Sequence, residues 1–131
     1  MRFLCLHGRG TNAAIFKDQT AKICDAIGQD NDFVYIDGHV AADVVPGIGS
    51  ITASRESDRF AFVPLGADPH VYRAFFAELR DFIEFQGPFD GLMGFSEGAS
   101  IAMTMLAEDA RRPYAHFKLF CASSTQIPAE R

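Results

Sequence analysis

The sequence predicts an α/β fold, a three-layer sandwich in which helices cover both faces of a four-stranded parallel sheet. Three observations carry that expectation. Short apolar runs alternate with longer stretches whose apolar residues recur at spacings of three and four. The run Leu92-Met93-Gly94-Phe95 passes through Ser96-Glu97-Gly98 into a helix of small residues. The first run, Arg2-Phe3-Leu4-Cys5-Leu6, opens into the glycine-bearing loop His7-Gly8-Arg9-Gly10-Thr11-Asn12.

The elements follow in order. Thr11 or Asn12 caps a first helix that runs to about Ile27, and Gly28 ends it. Its apolar face is Ala13, Phe16, Thr20, Ile23 and Ile27. A strand over 33–36 follows, then a long irregular segment, 38–66, with the character of a lid or binding wall. Asp68-Pro69 pairs an N-cap with proline at the first helical position, and Gly87-Pro88 stops that helix. Between them Tyr72, Phe75, Phe76, Leu79, Phe82 and Ile83 form an aromatic-rich stripe that reads as core. After Ser96 a helix runs from Glu97 to about Ala110, with Gly98, Ala99 and Ala102 close to the sheet and Ile101, Met105 and Leu106 filling the gaps. A strand over 117–121 comes last.

The pattern Gly94-Phe95-Ser96-Glu97-Gly98 is G-x-S-x-G at a strand-to-helix junction, and it nominates Ser96 as a nucleophile. A chain reversing that sharply holds the serine in strained dihedrals, and side chains two residues to either side would strike neighbouring backbone. Gly94 and Gly98 remove those collisions. The backbone N–H of Glu97, first in the helix, points where an oxyanion would form, and Arg9 in the first loop would supply a second N–H. His7 reads as a brace for that loop and not as a base. The same loop lacks G-x-G-x-x-G, which argues against a dinucleotide fold.

In three stretches the residues resemble the fungal-type serine hydrolase (FSH) family of α/β-hydrolases. These are Phe3 to Phe16 around His-Gly-Arg-Gly-Thr-Asn, then Phe33-Val34-Tyr35-Ile36-Asp37-Gly38, then Phe89 to Ala99 around Gly-Phe-Ser-Glu-Gly. The resemblance implies a cytosolic hydrolase of carboxylic esters or thioesters, sometimes serving secondary metabolism, with a Ser-Asp-His triad. It carries over to Ser96, Glu97 and Arg9. It also implies the sheet order second, first, third, fourth, with right-handed crossovers. The triad acid and base should follow the nucleophile after further strands. The whole chain, 1–131, therefore reads as a single incomplete α/β-hydrolase domain lacking the C-terminal strands, with 38–66 lid-like. Val44, Val45, Ile48, Ile51, Phe60, Phe62 and Val63 could line an acyl pocket or simply anchor that segment in the core.

No local residue is an obvious substitute base. Asp37 and His39 lie near the mouth where strand ends converge, and a Ser96–His39 dyad is a minor alternative. His116 opens the last strand at the far end, and Glu108, Asp109, Arg111 and Arg112 suit a solvated helix terminus. Two classes thus remain open: a serine hydrolase acting through an acyl-serine, and a non-catalytic hydrolase-like binding or interaction module.

Composition bounds the partners. The 131 residues are 48% hydrophobic and 22% charged, enough for one core, and the net charge of −5 with no basic run disfavours nucleic acid and anionic membranes. No apolar stretch is long enough to span a bilayer, and polar His7-Gly8-Arg9 ends the first apolar run too early for a leader. Cys5, Cys24 and Cys121 are scattered and read as reduced core residues, with no metal or cofactor implied. The expected setting is cytoplasmic and the expected partner a small ester or thioester. An unpaired edge at 117–121 would also favour a homodimer.

Overall fold

The computed structural model describes residues 1–42 and 59–123. The elements are β1 (Arg2–Leu6), α1 (Ala13–Ile27), β2 (Asp32–Ile36), β3 (Val40–Ala41), β4 (Phe60–Ala61), α2 (Pro69–Gln86), β5 (Gly91–Phe95), α3 (Glu97–Arg111) and β6 (Leu119–Ser123). The principal sheet is parallel throughout, in the order β2-β1-β5-β6. Its centre is β1 and β5, and Leu6 of β1 stands opposite Ile36 of β2 on one side and Gly94 of β5 on the other. β6 pairs with β5 along its length, from Leu119 opposite Gly91 to Ser123 opposite Phe95.

Crossover handedness distributes the helices. The chain steps from β1 to β2 in one direction, then returns past β1 to β5 in the other, so α1 and α2 fall on opposite faces. The step from β5 to β6 continues that second direction and puts α3 beside α2. Side-chain alternation along β1 matches. Leu4 and Leu6 pack with Leu79, Ile83, Ile101, Ala102 and Met105 of α2 and α3. Phe3 and Cys5 face the other way, into Phe16 of α1 with Met93 and Phe95 of β5. Every residue from Phe3 to Leu6 is at most 1% exposed, the burial expected of a central strand covered on both sides.

The helix ends are set locally. Asn12, not Thr11, caps α1: its side-chain oxygen accepts the Ile15 N–H at 2.8 Å. Gly28 closes the helix at φ 118°, a left-handed value that suits glycine. Asp68 precedes Pro69 as expected but makes no side-chain cap; its carbonyl accepts from Val71 and Tyr72 instead. Two core assignments need correction. Ile27 is 38% exposed in the last turn of α1, and Tyr72 is 43% exposed in the first turn of α2, since end turns overhang the sheet. Within the 38–66 segment, β3 and β4 form a small antiparallel pair that periodicity did not announce. Val44, Val45, Ile48 and Ile51 lie outside the described residues.

The last strand starts two residues later than the sequence suggests, and Asp109 is the cause. Its Oδ1 accepts the N–H groups of Tyr114, Ala115 and His116 at 2.8, 2.8 and 3.1 Å, and Oδ2 accepts that of Phe117 at 2.9 Å. Residues 114–117 therefore wrap a carboxylate instead of extending, with His116 at φ 56°. Asp109 is only 6% exposed, so the reading of a solvated helix end does not hold for it. Burial favours its protonated form, but the four backbone donors outweigh this and hold the carboxyl below the ordinary 3.8. A depressed folded value stabilises the fold fully above pH 3.8, and the contribution is lost as pH falls through the lowered value. Asp109→Asn turns one acceptor into a donor facing the Phe117 N–H. It should cost about 1–3 kcal/mol in urea unfolding at pH 7 and flatten the acid limb of the stability curve.

Candidate active site

Ser96 sits between β5, whose five residues are all buried, and the first turn of α3. Its backbone has φ 54° and ψ −112°, outside the regions that L-residues favour, and the residue is exposed. Such a conformation costs about 1–3 kcal/mol and persists only where the surroundings enforce it. Here they do. A Cβ on Gly94 would lie 2.4 Å from the Gly98 carbonyl oxygen, and one on Gly98 would lie 2.0 Å from the Leu6 carbonyl oxygen. The junction can therefore approach the end of β1 only with glycine at both places. Glu97, first in α3, has an N–H with no acceptor within its own helix.

The loop after β1 is fastened from several sides. His7 is fully buried: its Nε2 accepts the Gly38 N–H at 2.9 Å, which leaves Nδ1 to donate to the Gly8 carbonyl at 2.6 Å. The ring also packs against Phe62, with centroids 4.6 Å apart and the planes tilted by 30°. Burial lowers the His7 pKa and keeps the ring neutral, and both its nitrogens are committed to backbone. It braces the loop. Gly10, at φ 80°, donates to the Phe60 carbonyl, while Phe60 donates to the Thr11 carbonyl. Arg59, 3% exposed, donates through Nη1 to the Gly10 carbonyl at 3.0 Å.

The side chains of Arg9 and Glu97 meet. Arg9 Nη2 donates to Glu97 Oε2 at 3.0 Å and to the Val63 carbonyl. The Glu97 carboxylate also accepts the N–H groups of Phe62 at 2.9 Å and Val63 at 3.3 Å. These side chains thus tie the β5–α3 turn, the first loop and residues 62–63 into one unit. The sequence points to Arg9 and Glu97 for their backbone N–H groups alone and does not single out Arg59. No local pattern announces these contacts, since the partners are 88 residues apart for Arg9–Glu97 and 49 for Arg59–Gly10.

The remaining candidates fall elsewhere. Asp37 Oδ1 accepts the Ala13 N–H at 2.8 Å, at the start of α1. No hydrogen bond joins His39, or any other described side chain, to the Ser96 hydroxyl. His116 lies before β6, whose first residue pairs with Gly91, so it is at the sheet end opposite Ser96. Among the described residues no group of three His, Cys, Asp or Glu side chains is placed to hold a metal ion. A cavity of about 720 Å³ opens between the end of β2 and α2, lined by Ile36, Asp37, His39, Phe62, Phe75 and Leu79 among others.

Residues 1–130 match the family described as serine hydrolase (FSH1). The chain is similar to esterase FPY3 of Fusarium mangiferae, 32% identical over 93% of this chain and 57% of that protein. It is also similar to the hydrolases phiM of a fungal species (31% identical, 86% of this chain, 48% of that protein) and of Talaromyces stipitatus (33%, 85% and 46%). The chain thus spans about half the length of the curated relatives it matches.

Two outcomes are expected. Because the His7 pKa is lowered in the fold, unfolding takes up a proton between the folded value and 6.5, so stability should decline as pH falls below 6.5. Urea midpoints should drop between pH 7.5 and 5.5, and His7→Gln should remove that part of the slope. Gly98→Ala must force backbone apart at Leu6 and should cost at least about 1–3 kcal/mol in the same assay.

Proposed function

The chain belongs to the serine hydrolase (FSH1) family, and we propose that Ser96 is the nucleophile for hydrolysis of a carboxylic ester or thioester, held on a nucleophile elbow between Gly94 and Gly98. The observation that carries this is the exposed, positive-φ serine at a strand-to-helix turn crowded against the end of β1. Ser96 Oγ attacks the carbonyl carbon and loses its proton to a general base. The carbonyl oxygen becomes an oxyanion, which the main-chain N–H groups of Glu97 and Arg9 receive. Collapse expels the alcohol or thiol with the proton, and water then hydrolyses the acyl-serine by the same route in reverse.

None of the described histidines bonds Ser96, so this reading assigns the base and its orienting acid to residues beyond the described ones. The relatives' greater length is consistent with that assignment. The domain is on this reading the nucleophile-bearing part of an α/β-hydrolase, and the link to secondary metabolism stays with the proposal. A fluorophosphonate probe should modify the full-length protein at Ser96. Ser96→Ala should abolish labelling and lower ester turnover on the order of 10⁴-fold or more. A folded protein that resists labelling would favour the alternative, a binding module without turnover.

A further inference from the structure

We infer that the cavity beside α2 binds an uncharged apolar group of the substrate, and that its acidic rim selects against carboxylates. The inference rests on the hydrolase reading for its link to Ser96. The cavity itself stands on geometry alone. It measures about 720 Å³, within the range of small-molecule sites. Its walls are Ile36 at the end of β2, Phe62, and the α2 side chains Val71, Phe75, Leu79 and Phe82. From Val71 to Phe82 the helix advances about 16 Å, at roughly 1.5 Å per residue, so an extended chain can lie along it.

The cavity and Ser96 share one edge of the sheet. Ile36 and Gly94 flank Leu6 in register, on either side of β1. Two strand spacings of roughly 4.8 Å place them about 10 Å apart. Phe62 connects the two places: it lines the cavity, packs its ring against His7, and gives its N–H to the carboxylate of Glu97, the residue after Ser96. A substrate with its carbonyl at Ser96 can thus pass its apolar end across β1 and under α2.

Charge sets the selectivity. The ionisable residues of the lining are Asp37, His39 and Glu78, and no lysine or arginine lines the cavity among the described residues. A carboxylate entering there would meet two carboxyl side chains and leave water without a lysine or arginine to pair with. A neutral chain has no such penalty.

The test uses the Ser96→Ala protein, so binding is read without turnover, with methyl octanoate and octanoate as probes in calorimetric titration. Methyl octanoate should bind at least tenfold more tightly than octanoate. Ala74→Trp, which adds bulk at an exposed position of the lining, should weaken methyl octanoate binding at least tenfold. Val71→Trp provides a second obstruction if the first fails to fold. Absence of binding, equal affinity for both probes, or binding indifferent to a folded obstruction would overturn the inference. Labelling of Ser96 by a small fluorophosphonate, measured on the wild-type protein and on Ala74→Trp, tests the hydrolase reading separately. If labelling fails while methyl octanoate still binds, the cavity stands and the chemistry falls.

Discussion

The first turn of α3 presses so closely on the carbonyls ending β1 that even a methyl group on Gly98 would sit 2.0 Å from an oxygen, the shortest such distance among the described glycines. Much follows from it. The helix can pack so tightly only if the chain leaves β5 almost at once, which drives Ser96 into positive φ and lifts it out of the core. It also sets the start of α3 beside the first loop, so that the free amide of Glu97 and the backbone of Arg9 belong to one neighbourhood. A single steric constraint, met by two glycines, thereby shapes both the exposed hydroxyl and its polar surroundings.

The polar surroundings are then kept in place by charged side chains that do no chemistry in the proposed reaction. Glu97 accepts from Arg9, Phe62 and Val63, and Arg59 accounts for the Gly10 carbonyl. Hydrogen bonds of this charge-assisted kind are stronger than neutral ones and impose direction. Without them a loop with Gly8 and Gly10 would have many accessible conformations, and its amides would have no fixed aim. His7 adds a neutral brace from below, its ring held between Gly38 and Gly8.

What could be read in the sequence follows the range of the interaction that writes it. The apolar runs of β1 and β5, the three-and-four spacing in α2, a cap at Thr11 or Asn12 and the glycine stop at Gly28 are encoded by near neighbours, and these were legible. So was the G-x-S-x-G turn, because its glycines and serine are contiguous in sequence, although the collision that Gly98 avoids is with Leu6, at the far end of the chain. The Asp109 cradle was missed, although it is nearly local, because an aspartate at a helix end is more often solvated. The Arg9–Glu97 pair, Arg59 and the β3–β4 pairing depend on contacts across the chain, which composition and period do not record. Tyr72 and Ile27 erred for a different reason: periodicity gives the face of a helix, but not how far its end turns project past the sheet.

The energetic arrangement bears on how the site would work. Strain at Ser96 is worth about 1–3 kcal/mol, while burying Ile101 and Met105 on α3 contributes roughly 1.5–3 kcal/mol each. Packing of that single helix is thus sufficient to hold the turn without a ligand, and the hydroxyl is presented before substrate arrives. Its orientation is another matter, since no described side chain hydrogen-bonds it. Position is built in here by sterics, whereas activation, in the proposed hydrolysis, requires a proton acceptor at Ser96. The two requirements are physically separable, because the first resides in glycine backbone and helix burial and the second in that acceptor.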